Sequence, residues 1–238
     1  MFGPGSATIS AAYILAAVSG CPAASAPVVE LKLTQTPPPI IENLGYKEIT
    51  TLASGNINPD VQHALDATVA VENGQWSFLG LTRASMRTNY EVEFSAINGS
   101  ANQFDCLTVR KIRYEIIYTP VVYIASDLLN KACTYNVVMA HEQTHVATDR
   151  RTIADYMPTL KQHIETYAQT IGTRGPYTPA AAEAERNRLS GLVLNASIPV
   201  WHQLTWLRRK RQAAIDTPQN YMREQARCPG AWIPDEKK

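Results

Sequence analysis

The chain has 238 residues, of which 45% are apolar and 18% are charged, a composition typical of folded globular proteins and not of disordered ones. A chain of this length can bury a core without a metal or disulfides, so any metal it holds is expected to serve chemistry. The formal net charge of +1 provides no broad positive field, which disfavours binding to nucleic acid.

Residues 1–26 have the pattern of an export signal. The segment from Ile9 to Val18 is almost entirely apolar, too short to span a membrane and typical of a signal-peptide core. The string VSGC at 18–21 resembles a bacterial lipobox, which would place a lipid on Cys21 and attach the protein to a membrane, whereas ASA at 24–26 fits the site cut in secreted proteins. The sequence predicts an exported protein that is periplasmic, extracellular or an outer-membrane lipoprotein. No Lys or Arg precedes the apolar core, so a buried N-terminal strand or helix is the alternative.

Residues 27–50 are rich in proline, with three in succession at 37–39, and are expected to form an arm or linker. The remaining residues, 51–238, are expected to form a single domain. From Tyr90 to Ala125 polar and apolar residues alternate, with many Val, Ile, Tyr and Phe, which predicts a mainly antiparallel sheet.

Beyond Leu128 the apolar residues recur with helical spacing. This spacing predicts a helix over 134–150, a second helix that begins at Pro158, and further helix from 180 to about 215. The predicted fold class is therefore α+β, with an antiparallel sheet region followed by a helical region. A basic run, RRKR at 208–211, falls near the end of the last helix, where we expect it to be solvated.

Three cysteines remain when Cys21 is set aside, and this odd number allows one disulfide and one free thiol. Cys106 and Cys133 flank the extended segment before the first long helix, so we expect the disulfide to join them. The alternative is that Cys106, Cys133 and Cys228 are all buried as small apolar residues.

The segment HEQTH at 141–145 is the sharpest signal in the chain. Residues four apart lie on one face of a helix, so His141 and His145 can direct imidazole nitrogens at one metal ion about 2 Å away. Glu142 lies beside the first histidine, where its carboxylate can accept a proton from an activated water molecule. The pattern predicts a Zn²⁺-dependent hydrolase with Glu142 as general base.

The wider segment VVMAHEQTHVATD resembles the active-site helix of thermolysin-like metallopeptidases, which belong to the HExxH zinc peptidases, or zincins. The resemblance covers thirteen residues, with one extra residue before the motif. It implies a zincin-like helical region in which His141 and His145 bind zinc, Glu142 is the base, and Asp149 supports a ligating histidine by accepting its outer N–H.

A catalytic zinc needs a third protein ligand and an open position. The resemblance implies Glu165, which follows His145 by twenty residues, provided that the chain turns between Arg150 and Pro158. Metzincins are disfavoured because their third histidine follows the motif closely. The other candidates for the third ligand are Glu183, Glu185, His163 and Asp149. The residues that could polarise a substrate carbonyl are Tyr156, Tyr167, Tyr177, His202 and Arg151.

The predicted function is hydrolysis of peptide bonds by an exported zinc metallopeptidase. Its partner would be a protein or peptide substrate, including the peptide of peptidoglycan. The alternative is a non-catalytic cell-envelope lipoprotein or binding module with a zincin-like fold. A structural zinc protein is a further alternative and would have four protein ligands in a closed site.

Overall fold

The computed structural model describes residues 21–54, 69–72, 75–98, 105–229 and 232. The predicted export signal thus lies outside the described residues except for its last six positions. Among the described residues, none of the helices combines the length and the apolar run that a bilayer crossing requires.

The chain contains both strands and helices, which confirms the α+β expectation in its coarse form. The strands are β1 (Val28–Gln35), β2 (Ile40–Ile41), β3 (Val69–Glu72), β4 (Gln75–Phe78), β5 (Gly80–Asn98), β6 (Asp105–Ile124) and β7 (Thr173–Tyr177). The helices are α1 (Tyr46–Ser54), α2 (Ala132–Ile171), α3 (Pro179–Ala213) and α4 (Pro218–Gln225), with a short 3-10 turn at Ser126–Leu128.

Strand β6 pairs with each of β1, β2, β5 and β7 in a five-stranded sheet, while β3 and β4 form a separate antiparallel pair. Strand β2 runs parallel to β6, with Ile40 opposite Val122, whereas β7 runs antiparallel to it. The prediction of a mainly antiparallel sheet is therefore not borne out. The parallel pairing comes from the Pro-rich stretch, because Pro39 accepts a hydrogen bond from the Val122 N–H and carries the chain into β2 beside β6.

The stretch 27–50, which we expected to be an arm or linker, is part of the fold. It contributes β1, β2 and most of α1, and it buries Val29 and Ile49 at 3% and 0% exposure. Proline has no N–H to donate, so the prolines at 37–39 interrupt the hydrogen-bonded ladder without removing the segment from the sheet.

Helix α2 carries the HEQTH motif, which confirms the predicted helix over 134–150. The predicted break at Pro158 is wrong, because α2 is one helix of 40 residues with Pro158 inside it. An interior proline removes one hydrogen bond and costs roughly 3 kcal/mol. Burial of Ile153 and Leu160 on either side of the proline offsets this cost, since each buried aliphatic side chain contributes about 1.5–3 kcal/mol.

The described residues divide into two compact units. The first unit takes its residues from Met1–Leu31, Tyr90–Tyr114 and Thr159–Ile198, and the second takes them from Lys32–Asn89, Glu115–Pro158 and Pro199–Lys238. In the first unit Ile164 and Leu189 are core residues, and in the second Leu81 and Val138 are. All three residues of the HEQTH motif that carry the predicted chemistry belong to the second unit.

Two disulfides are present, Cys21–Cys106 and Cys133–Cys228, and no free cysteine remains among the described residues. A disulfide was expected, but the predicted pairing of Cys106 with Cys133 is wrong. Cys106 lies at the beginning of β6, and Cys133 follows the end of that extended strand. The Cys21–Cys106 bond fits neither processing alternative, because a lipid would occupy the Cys21 sulfur and a cut after Ala26 would remove Cys21 from the chain.

Candidate metal centre

The two histidines of the motif lie on the buried face of α2. His141 is 2% exposed and His145 is 0% exposed, and the neighbouring Val138 and Val146 are buried as well. The spacing of four residues brings the two rings together with their centroids 4.7 Å apart. The helix thus places two imidazoles at one point, as the sequence predicts.

Asp216 completes a group of three ligand atoms with these histidines. Its Oδ1 lies 3.1 Å from Nε2 of His141 and 3.2 Å from Nε2 of His145, and the two Nε2 atoms are 2.9 Å apart. In the described part of the chain, this is the group in which three such atoms from His, Cys, Asp or Glu lie within 4.8 Å of one another.

The connection between α3 and α4 presents Asp216. Thr217 caps α4 by accepting a hydrogen bond from the N–H of Asn220, and the side-chain amide of Asn220 donates back to the Ile215 carbonyl at 2.9 Å. These bonds fix the backbone on both sides of the carboxylate. Asp216 is therefore held at a capped helix start, where the positive end of the helix dipole favours an anion.

Helix α4 also supplies two side chains that contact His141. Nδ1 of His141 lies 3.0 Å from both carboxylate oxygens of Glu224, so its N–H points outward to that group. The ring of Tyr221 stacks on the His141 ring with centroids 5.5 Å apart, and its hydroxyl donates to Asp216 Oδ1 at 2.6 Å. With Nδ1 occupied, Nε2 is the nitrogen of His141 that faces the group.

The outer nitrogen of His145 has a different partner. Nδ1 of His145 lies 2.7 Å from Oε1 of Gln212, and the Gln212 amide donates to Oδ1 of Asp149 at 2.8 Å. The structure thus gives Gln212 the role that we predicted for Asp149. Asp149 supports the histidine through Gln212.

Asp149 is held by a buried arginine. Arg208 donates from Nε to Oδ1 of Asp149 at 2.9 Å and makes a second, shorter bond from Nη2 to Oδ2. The hydroxyl of Tyr118 donates to Oδ2 at 3.1 Å. The expectation of a solvated basic run at 208–211 is therefore wrong for Arg208, which is 9% exposed, because a buried carboxylate requires a paired charge.

Glu142 is fully buried beside the beginning of β5. The hydroxyl of Thr82 donates to its Oε2 at 2.7 Å, which orients the carboxylate. The side chain lies so close to the Gly80 backbone that a Cβ there would be 2.5 Å from Glu142 Oε1 and 2.7 Å from a methyl of Val138. Gly80 is required by this close approach of strand and helix.

Electrostatics show that the group attracts positive charge. Burial lowers the pKa of His141, but hydrogen bonds to Asp216 and Glu224 and the charge of Glu142 outweigh it and raise the pKa to about 10. Burial raises the pKa of Asp216, but the hydrogen bonds and charge of the two histidines lower it to about 2. Burial and the Asp216 charge raise the pKa of Tyr221, so its hydroxyl stays protonated.

The donor set fits a zinc ion. Zinc binds two or three histidine nitrogens with a carboxylate oxygen at about 2.0–2.2 Å, which places neighbouring donor atoms roughly 3.3 Å apart in a tetrahedral site. The observed separations of 2.9, 3.1 and 3.2 Å are close to that value. The carboxyl groups of Asp216, Glu224 and Glu142 all act on His141, and a divalent cation would balance their negative charge. The residues that could hold zinc are thus His141, His145 and Asp216.

Glu165, the third ligand implied by the resemblance, does not belong to this group. Because α2 continues without a turn, the expected return of Glu165 toward the motif loses its basis, and its carboxylate instead lies 3.6 Å from the Lys161 ammonium. The other candidates also have partners of their own within the first unit: Arg186 for Glu183, Arg188 for Glu185 and the Ala196 carbonyl for His163.

Sequence reasoning missed Asp216, Gln212, Tyr221 and Glu224. One signal could have found the first of them. Thr217 and Pro218 follow Asp216 as an N-cap and a first-turn proline, so the sequence marks a helix start with a carboxylate just before it. Tyr156, one of the residues expected to polarise a substrate carbonyl, donates to Gln203 at 2.6 Å instead. The phenol that contacts the group is Tyr221, which was not among the expected residues.

A scan against models of protein families and searches of curated proteins and of solved structures find no match to this chain. The function must therefore be argued from the chemistry of the site.

Proposed function

We propose that this chain is an exported zinc-dependent hydrolase that cleaves peptide bonds. His141, His145 and Asp216 hold the metal, and Glu142 is the general base. Asp216 takes the place of Glu165 as the third ligand. The observation that supports the proposal best is the convergence of two Nε2 atoms and one carboxylate oxygen within 3.2 Å, beside the glutamate of a HEQTH helix.

The contacts of the outer ring nitrogens determine which nitrogen of each histidine faces the metal. Glu224 and Gln212 accept the outer N–H groups of the two histidines, which leaves both Nε2 lone pairs directed inward. Asp216 adds one negative charge, so two neutral nitrogens and one oxygen give a set that retains net positive charge when zinc is bound. When bound, zinc polarises a substrate carbonyl and makes water acidic enough to attack near neutral pH.

Glu142 then takes the proton of the attacking water. Its charge already acts on the group, because it raises the pKa of both His141 and Tyr221. The Thr82 hydroxyl holds the carboxylate in one orientation, and the Tyr221 hydroxyl donates its proton to Oδ1 of Asp216, which orients the proposed third ligand. A base of this kind contributes about 10²–10⁴-fold in rate.

The Cys133–Cys228 disulfide supports the proposed location outside the cytoplasm, because it would survive removal of the export signal. Disulfides persist in oxidising compartments such as the periplasm and the extracellular space. Together with the apolar segment from Ile9 to Val18, this disulfide favours an exported protein.

The test combines metal content with activity. The full chain is produced in an oxidising compartment, its zinc is counted, and it is assayed on a peptide library and on peptidoglycan peptides beside Glu142→Gln and the control Glu165→Gln. We expect one zinc per chain in all three proteins and cleavage that is lost only in Glu142→Gln. A chain that takes up no zinc under metal-replete conditions, or Glu142→Gln with full activity, would overturn the proposal.

A structural zinc site is the second candidate, and the burial of the group favours it. His145 and Glu142 are both 0% exposed, and the Tyr221 hydroxyl places a further oxygen 2.6 Å from Asp216 Oδ1. A structural metal stabilises the fold strongly, whereas a catalytic metal in a preformed site adds less. Thermal unfolding with and without a chelator distinguishes the two: a large loss of melting temperature without any cleavage by the zinc-loaded chain would favour the structural site.

A further inference from the structure

Gln212 makes three hydrogen bonds in the interior, although it lies outside the HEQTH helix. It is 4% exposed near the end of α3. Its Oε1 lies 2.7 Å from Nδ1 of His145, while its Nε2 donates to the His145 carbonyl at 3.0 Å and to Oδ1 of Asp149 at 2.8 Å. The amide therefore contacts both the ring and the backbone of one histidine.

These contacts permit only one orientation of the amide. A carbonyl and a carboxylate accept hydrogen bonds and do not donate them, so the NH₂ group of Gln212 must face the His145 carbonyl and Asp149. The oxygen of the amide must then face the ring. Because that oxygen can only accept, the proton of a neutral His145 lies on Nδ1, and the lone pair lies on Nε2, which faces His141 and Asp216.

Asp149 keeps the amide in this orientation because it is itself held as a carboxylate. Arg208 binds both of its oxygens, and Tyr118 donates to one of them. A carboxylate with such partners presents only acceptor atoms to Gln212. The order of contacts thus runs from Arg208 through Asp149 and Gln212 to the outer N–H of His145.

We propose that Gln212 is a positioning residue: held by Asp149 and Arg208, it fixes His145 with its proton on Nδ1 and so makes Nε2 the ligand atom for zinc. The inference rests on the proposed function for the identity of the metal. A neutral amide orients the histidine without adding a further negative charge near the carboxyl groups of Asp216, Glu224 and Glu142. Partners of this kind are worth about 10–100-fold in metal affinity.

The test compares Gln212→Met with the control Gln203→Met, which changes a glutamine on the same helix that accepts only from Tyr156 among the bonds described above. Zinc dissociation constants are measured by competition with a chelator, and imidazole ¹⁵N and ¹H resonances are recorded on the metal-free and zinc-loaded chains. We expect Gln212→Met to weaken zinc binding about 10–100-fold and to speed solvent exchange of the His145 Nδ1 proton, while Gln203→Met changes neither.

Two results would overturn the inference: a wild-type chain whose neutral His145 carries its proton on Nε2, or Gln212→Met that binds zinc as tightly as the wild type. If Gln212→Met does not fold, Asp149→Asn serves in its place and is expected to weaken zinc binding in the same direction. The test does not use hydrolysis. A chain that binds zinc through Nε2 in a Gln212-dependent way but cleaves nothing therefore supports the inference and contradicts the proposed peptidase.

Discussion

Nε2 of His141 lies 2.9 Å from Nε2 of His145, and each ring directs its other nitrogen to an outer acceptor. Two lone pairs at this distance repel each other, so a cation must lie between them. Without a metal, a proton on His141 would meet this requirement, because hydrogen bonds to Asp216 and Glu224 raise the pKa of that ring. Under the proposed function, zinc and this proton would therefore compete for the same place.

The stability of the metal-free protein should decline on the alkaline side. The folded-state pKa of His141 is raised from 6.5 to about 10. The contribution of His141 to the free energy of unfolding is therefore complete below pH 6.5 and is lost as pH rises through 10. The pKa of Asp216 is lowered from 3.8 to about 2, so its contribution is present above pH 3.8 and is lost as pH falls through 2. Urea unfolding of the chelated chain from pH 5 to 10 checks this. His141→Gln should lack the alkaline decline, and an identical decline in both proteins would contradict the assignment.

Asp216→Ala should weaken zinc binding by more than about 100-fold, because losing a partner outside the ligand set already costs 10–100-fold. Glu165→Gln is the matched control, since it removes a half-buried carboxylate whose partner is Lys161. Zinc content after dialysis against a weak chelator is the measurement. If Glu165→Gln loses zinc and Asp216→Ala keeps it, the third ligand is Glu165, as the sequence resemblance implies, and not Asp216.

Gly80→Ala should displace Glu142 and destabilise the fold by about 1–3 kcal/mol, because the new methyl group would overlap Glu142 and Val138. Gly191→Ala is the control, since a Cβ at that position of α3 meets no atom within 4 Å. The free energy of unfolding of this control should rise by about 0.5–1 kcal/mol, because alanine has a better helix propensity than glycine. Chemical unfolding of both variants measures the difference, and equal stabilities would exclude a tight strand–helix contact at Gly80.

Thr82→Val should reduce stability by about 1–3 kcal/mol, because the substitution keeps the shape of the side chain and removes a donor to a buried carboxylate. The rate of peptide cleavage should fall as well, since Glu142 loses its fixed orientation. Thr170→Val, which changes an exposed hydroxyl bonded to its own helix, should alter neither quantity. Unchanged stability in Thr82→Val would mean that Thr82 does not hold the base.

The sequence was sufficient to predict the two histidines as neighbours because both lie on one helix, where spacing alone determines the face. The proposed third ligand, Asp216, could not be predicted in this way. Asp216 follows His145 by seventy-one residues and reaches the group through the packing of α3 and α4, which depends on the shapes of many buried side chains. The choice of Glu165 depended on a turn before Pro158, and the long buried face of α2 overrides the tendency of that proline to end a helix.

The basic run illustrates the same limit. A helix end with four consecutive cations favours solvent exposure by composition alone, and Arg211 does pair with the exposed carboxylate of Asp155. Arg208 is buried because Asp149 is buried, and the two residues are far apart in the sequence. A charge whose partner comes from another element cannot be assigned to the interior from local pattern.

The Cys133–Cys228 disulfide encloses all three proposed ligands in one covalent loop. A chain that is oxidised before it meets metal would present Asp216 to the two histidines at a raised effective concentration, because the closed loop has lost much of its freedom when unfolded. A chain that meets metal first would instead have its two cysteines drawn together by the ion, so that zinc would act as a template for the cross-link. Under the proposed function, oxidative folding and metal loading would thus be coupled steps in the maturation of this protein.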